Sequence, residues 1–365
     1  MSPITATPAT SESNAAIKPR ALRRGMVIPA CPLALDSSRR LDVRRQRAIL
    51  RYYSAAGAGG VATAVHTTQF GIRDPNVGLF EPLLALAAEE FDRLDAARKE
   101  PIYRIVGICG DTAQAEREAS LGVDLKYDAG MVSLAALADR SDDELIAHCR
   151  RVAEVMPVFG FYLQPAVGGR ILSNTFWRKF CEIENVVGIK IAPFNRYHTL
   201  DVVRAVAESG RDDIALYTGN DDNIVLDLVT PFRFRVGTEV VERRIVGGLL
   251  GHWAVWTRQA VRILNQCHRA MERSAASDDD LLQLSVEVTD TNAAFFDSAN
   301  NFAGCIAGLH EVLRRQGLLT DITLLESEHG LSPGQMSEID RVVAAYPHLN
   351  DDAFVETHRD EWLRD

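Results

Sequence analysis

Lys190 is one of only five lysines among 40 basic residues, the other 35 being arginines. It lies inside Val186-Val-Gly-Ile-Lys-Ile-Ala, an otherwise apolar run. If that run is a strand, alternation puts Lys190 on the face of Gly188 and opposite Ile189 and Ile191. A lysine turned into a protein interior loses its water. That lowers the ammonium pKa and frees a neutral amine to attack a carbonyl. The same position also suits a buried ion pair, or a side chain that reaches past the strand end to water.

Three more groups bear chemistry. Tyr162 closes Phe159-Gly-Phe-Tyr-Leu-Gln-Pro one strand before Lys190, where a phenol could move protons during imine formation, or simply pack with its hydroxyl satisfied. His66, Thr67 and Thr68 close an earlier apolar run; their hydroxyls and N–H groups suit a substrate carboxylate, and equally a plain turn or helix cap. Asn220 and Asp221, in Gly219-Asn-Asp-Asp-Asn, could orient substrate hydroxyls, coordinate a cation or cap the next helix. Gly248, in the apolar run 246–250, is counted with the substrate-contacting residues.

The elements that must position these groups follow from periodicity. Strand-like runs fall at 26–31, 60–65, 102–108, 123–127, 158–163, 186–191 and 214–218. Helical spacing fills 41–56, 82–98, 112–121, 142–155, 174–184 and 200–209 between them. Such alternation implies βαβ units and a parallel sheet. Residues 232–246 read as a hairpin inserted before an eighth strand at 246–250, and helices follow at 253–269, 279–296, 302–316 and 332–346, the last starting at Ser332-Pro333-Gly334. The expected fold is α/β, a (β/α)₈ TIM barrel with additional C-terminal helices. Pro29-Ala-Cys-Pro-Leu follows the first strand in place of a glycine-rich dinucleotide loop. In such barrels chemistry sits at the carboxyl ends of the strands, where the residues above fall. The organisation expected is a disordered leader over 1–24, the barrel over 25–270 and a helical region over 271–365.

Composition narrows the classes. With 365 residues, 47% hydrophobic and 25% charged, the chain has apolar mass for a sizeable core. A net charge of −10 argues against a nucleic-acid partner. No run of 18 apolar residues argues for a membrane helix, and the N-terminal 20 residues lack the apolar core of a secretory signal. Six scattered cysteines without a CxxC pair fit reduced thiols in a cytoplasmic protein. Tyr52 and Tyr53 and the C-terminal helices are candidate interface elements, as are Trp177, Trp253 and Trp256.

Together these pieces resemble the dihydrodipicolinate synthase/N-acetylneuraminate lyase family of class I aldolases, over residues 25–320. Val187-Gly-Ile-Lys190 resembles the family's Schiff-base strand, and Tyr162-Leu-Gln-Pro165 its Tyr-x-x-Pro element. Thr67-Thr68 resembles the paired hydroxyls of its Gly-Thr-Thr-Gly-Glu turn, and Gly219-Asn-Asp-Asp222 its Gly-Asp-Asp turn. The resemblance implies an imine between Lys190 and pyruvate or another 2-keto acid, with Tyr162 shuttling protons and Thr67 and Thr68 holding the carboxylate. It implies no cofactor and no metal, a small keto-acid or sugar-acid substrate, and a homo-oligomer, dimer or tetramer. The chain departs from the synthases at Val167, where they carry an arginine for the second substrate's carboxylate, and after the fourth strand, where their tyrosine pair is missing; Arg170 stands nearby in the same loop. Aldol addition or cleavage, hydratase-aldolase or dehydratase chemistry is therefore expected in preference to dihydrodipicolinate synthesis. Two rival readings are a metal-dependent lyase or hydrolase using His66, Asp221 and Asp222, and a non-catalytic barrel that binds a sugar acid.

Overall fold

A computed structural model describes residues 14–273, 279–326 and 330–364. Eight parallel strands form one sheet: β1 (Val27–Pro29), β2 (Gly60–Thr63), β3 (Tyr103–Ile108), β4 (Ala129–Val132), β5 (Val158–Leu163), β6 (Val186–Ala192), β7 (Ala215–Thr218) and, after an insertion, β10 (Ile245–Leu250). The insertion is the antiparallel hairpin of β8 (Phe232–Val236) and β9 (Glu239–Arg243). The strands follow chain order around the sheet, with β10 between β7 and β1. Ala30 bridges Ala62 in parallel and the Cys31 N–H donates to Ala62 O at 2.8 Å, which joins β1 to β2 and closes the barrel. Helices between the strands wrap the outside, and further helices extend the C-terminus. The expected (β/α)₈ barrel is the fold.

Near-continuous apolar strands suit a parallel sheet buried on both faces. Alternate residues then divide between two cores. Ile28, Ile105, Met131, Phe159, Phe161, Tyr217 and Leu249 fill the barrel interior. Their neighbours, such as Val61, Val106, Ile189 and Leu216, pack outward against the helices. β5 meets β6 with a register irregularity between Val158 and Phe159, after which Phe161 stands across from Lys190.

Several expected boundaries move. The fourth strand is Ala129–Val132, not 123–127. Residues 112–124 are helical, Lys126 turns the chain with φ 60°, and Tyr127 packs with its hydroxyl donating to Leu84 O at 3.2 Å. Of the leader expected over 1–24, residues 1–13 lie outside the described residues, but Asn14–Arg24 is a helix. Leu22 is buried under the barrel, Tyr217 donates its hydroxyl to Leu22 O at 2.8 Å, and Lys18 pairs with Asp128 at 2.8 Å. Apolar burial and a bridge to β4's entry therefore hold this segment. The helix expected from Ser332 begins at Gln335, after Gly334 in a left-handed conformation. A final helix, Asp352–Trp362, was not expected. It packs on the helix Val43–Ala56: Tyr52 donates to Asp351 at 2.7 Å, and the Trp362 ring lies 5.6 Å from that of Tyr52. Tyr52, Tyr53, Trp177, Trp253 and Trp256 are all buried within the chain, so they serve its core and not an interface between copies. Among the described residues no helix is long and apolar enough to cross a membrane, and the six cysteines are unpaired.

Candidate active site

Lys190 points from β6 into the carboxyl-end half of the barrel, where it is 7% exposed. Gly219, at the end of β7, makes room for it. A Cβ at Gly219 would lie 2.6 Å from Lys190 Cε and 2.7 Å from Ala192 Cβ, distances that real side chains do not tolerate. The Phe161 ring faces the amine, with Nζ 4.6 Å from its centre. Lys190 opens onto a cavity of about 50 Å³. Its polar lining comes from His66, Thr67, Gln164, Lys190, Asp221 and Cys305. Its mouth is apolar, formed by Leu163, Val167, Phe194, Phe296 and Phe302. Phe194 and Phe302 meet edge to face at 5.6 Å across that mouth, and both have left-handed backbones, φ 50° and 67°. Such conformations cost about 1–3 kcal/mol each for non-glycine residues and concentrate at functional sites.

Burial pushes the Lys190 ammonium below its ordinary value of 10.5, and Asp221 only partly offsets this. Burial pushes the Asp221 carboxyl above its ordinary value of 3.8, against the pull of Lys190. The His252 N–H donates to Asp221 Oδ1 at 3.0 Å and holds the carboxyl in the cavity. His66 is driven down to about 4 by burial first and by Lys190 second, which keeps its imidazole neutral at physiological pH. The Cys305 thiol is raised by burial and by Asp221, and so stays protonated. The site thus combines a readily deprotonated amine, a carboxyl inclined to hold a proton and a neutral imidazole. Amine attack on a carbonyl with local proton transfer is the chemistry this set can do.

The residues singled out in the sequence divide sharply. Lys190, His66, Thr67 and Asp221 converge on the cavity. Tyr162 does not: it lies on the outer face of β5, beside Trp177 and His198. Its hydroxyl donates to Leu172 O at 3.3 Å and accepts the Leu172 N–H at 3.1 Å. Phe161 occupies the inward position instead, because strand alternation admits only one of the two. Thr68 is buried in its own turn, where its hydroxyl donates to Cys31 O at 2.7 Å and accepts the Val65 N–H at 3.2 Å. Asn220 is a structural hub: it accepts the Phe194 N–H at 3.0 Å and donates to Thr199 Oγ1 at 3.0 Å and to Asp227 Oδ2 at 2.9 Å. Gly248 faces outward against Trp253, whose ring would lie 2.5 Å from an added Cβ. Arg170 is turned away, donating to Ala138 O at 2.9 Å and Arg140 O at 2.6 Å. Among the described residues no three His, Cys, Asp or Glu side chains are placed to hold a metal ion, so the donor set demanded by the metal-dependent reading is not assembled.

Phe161, Phe194, Phe302 and Cys305 escaped the sequence reading. Phe161 could have been found by extending the Lys190 alternation across to β5. The others arrive from loops and a C-terminal helix, which periodicity does not connect to the barrel.

No protein-family model matches the chain. A 120-residue stretch is 33% identical to the 4-hydroxy-tetrahydrodipicolinate synthase of Alkaliphilus oremlandii, covering 32% of this chain and 39% of that protein. The match thus spans about two fifths of that relative's length. Superposition extends the likeness to nearly the whole chain. The 4-hydroxy-tetrahydrodipicolinate synthase of Methylacidiphilum fumariolicum SolV aligns at a TM-score of 0.70 and 15% identity, over 90% of this chain and 99% of that one. The fold is that of the dihydrodipicolinate synthases. The chloride-inhibited dihydrodipicolinate synthase of Acinetobacter baumannii, solved in complex with pyruvate, aligns at a TM-score of 0.68 and 16% identity, over 88% and 98% of the two chains. Within this fold the β5 wall of the site presents Phe161 inward, and Val167 lines the cavity.

Proposed function

We propose that this protein is a class I lyase of the dihydrodipicolinate synthase/N-acetylneuraminate lyase family, forming a Schiff base between Lys190 and pyruvate or another 2-keto acid. One observation carries the reading: the buried, pKa-lowered amine of Lys190 at the carboxyl end of β6, open to a small cavity. The solved synthase with bound pyruvate has the same fold, which supports the choice of keto acid.

The neutral amine attacks the keto carbon, a proton passes from nitrogen to oxygen, and the carbinolamine hydroxyl takes a further proton from an acid in the cavity and leaves as water. The resulting iminium withdraws electrons from the adjacent carbon, which then loses a proton or breaks a carbon–carbon bond. The hydroxyl of Thr67 and nearby backbone N–H groups receive the carboxylate. The Phe161 ring favours the cationic iminium through its negative face.

The second substrate, or the leaving fragment, meets an apolar mouth. Val167 and its aromatic neighbours offer no charged partner for a second carboxylate, Gln164 beside them is neutral, and Arg170 is already bound to backbone carbonyls. A carbonyl component without an anionic group suits that mouth, so dihydrodipicolinate synthesis is not the activity we assign. The deciding test is borohydride reduction in the presence of a panel of 2-keto acids, read by intact and peptide mass. The expected result is a keto-acid adduct on Lys190; no adduct with any of them would reject the assignment.

A further inference from the structure

Imine chemistry needs a group that moves protons beside the amine, and the obvious one is missing. The tyrosine resembling the proton shuttle of the family is turned out of the barrel, with its hydroxyl committed to the Leu172 backbone. Phe161, which takes the inward place, has no proton to give. The Thr68 hydroxyl is tied to Cys31 O. His66 faces the cavity, but its low basicity makes it a poor acceptor. The Cys305 thiol holds its proton too firmly. Asp221 remains. It lines the same cavity as Lys190, is 4% exposed, and is aimed by the His252 N–H at 3.0 Å.

We infer that Asp221 carries the proton in this site, doing from β7's loop what a phenol on β5 would otherwise do. The inference rests on the imine reading of Lys190. Each step balances. The Asp221 carboxylate takes a proton from the Lys190 ammonium, leaving a neutral acid and a free amine. The amine adds to the keto carbon and its proton passes to the former carbonyl oxygen. Asp221 returns its proton to that hydroxyl, the carbon–oxygen bond breaks, water departs, and the iminium stands beside a carboxylate. That carboxylate then accepts the proton from the adjacent carbon, giving the enamine. Burial favours such a carrier, since a carboxyl near its titration point both accepts and donates readily.

The test uses pyruvate as probe, in two measurements on the full chain: borohydride trapping by mass, and exchange of the pyruvate methyl protons in D₂O by NMR. Asp221→Asn keeps the shape and the acceptor for His252. The expected result is an adduct that still forms on Lys190, more slowly, with exchange falling roughly 100-fold or more, the range for loss of a positioned acid–base group. Asp221→Glu should recover part of the exchange. Wild-type exchange per trapped imine should rise with pH as the carboxyl titrates, and this rise should vanish in Asp221→Asn, which keeps only the rise in imine formation that comes from deprotonation of Lys190. The charged and titratable groups around Asp221 are Lys190 and the adjoining Asp222, with His66 and Cys305 lining the same cavity; His252 meets it through its backbone N–H, and all remain in the variant. Exchange within threefold of wild type in Asp221→Asn, with the adduct intact, overturns the inference and spares the imine. Absence of an adduct in the wild-type protein with pyruvate moves both measurements to the other 2-keto acids of the panel, and absence with all of them sinks the imine reading and the inference with it.

Discussion

Phe161 on β5 stands directly across the sheet from Lys190 on β6 and presents its ring face to the amine at 4.6 Å. A ring face favours the ammonium by about 0.5–2 kcal/mol, depending on how dry the site is. It therefore works against the desolvation that frees the amine. Phe161→Leu removes the ring, and the Lys190 pKa should fall further, by roughly 0.4 to 1.5 units at 1.36 kcal/mol per unit. The rate of borohydride-trapped imine formation rises with pH as the amine deprotonates. In wild type its midpoint should lie below the ordinary 10.5, and in Phe161→Leu lower still. A midpoint that moves upward in the variant contradicts this account.

Val167 lines the mouth where an arginine would serve a second carboxylate. Val167→Arg should raise kcat/KM for aldehydes bearing a carboxylate about 10- to 100-fold. That range corresponds to one charge-assisted hydrogen bond of roughly 1.5–3 kcal/mol. Turnover of uncharged aldehydes should stay level or fall. Steady-state kinetics with a charged and an uncharged aldehyde of equal length separates the outcomes.

Tyr162 is the residue on which sequence and structure part most clearly, and Tyr162→Phe tests that. Its hydroxyl serves only the Leu172 backbone, so the adduct on Lys190 should form at the wild-type rate. Leaving the Leu172 N–H unpaired in the interior should cost about 1–3 kcal/mol of stability, seen as a lower midpoint in urea. A large loss of trapping without a loss of stability would show that the phenol takes part in the chemistry.

Gly219→Ala introduces a Cβ 2.6 Å from Lys190 Cε. The lysine must move, because the contact also presses on Ala192. Crowding of this kind costs roughly 1–3 kcal/mol, and a fold of this size should survive it. Trapping on Lys190 should slow by at least about tenfold, since displacements of an ångström disrupt reaction geometry. Circular dichroism checks the fold and peptide mass the adduct.

The sequence by itself determined the barrel, the order of its strands, the inserted hairpin before β10 and the inward face of Lys190. These rest on local period: alternating apolar runs, helical spacing between them and one lysine inside an apolar strand. It misjudged the fourth strand, because the apolar–charged alternation of 123–127 resembles a strand while the left-handed turn at Lys126 places the strand after it. Only the tertiary structure decided which of two adjacent residues faces the amine. The register irregularity at the start of β5 sets that strand's parity against β6, so Phe161 turns inward and Tyr162 outward. It likewise separated Asp221 from Asn220, and Thr67 from Thr68. Each pair is alike in local sequence terms, and only packing against β1, β6 and the segment after β10 chooses between them. A single step along a strand or turn reverses a side chain, and that reversal is decided by neighbours distant in the chain.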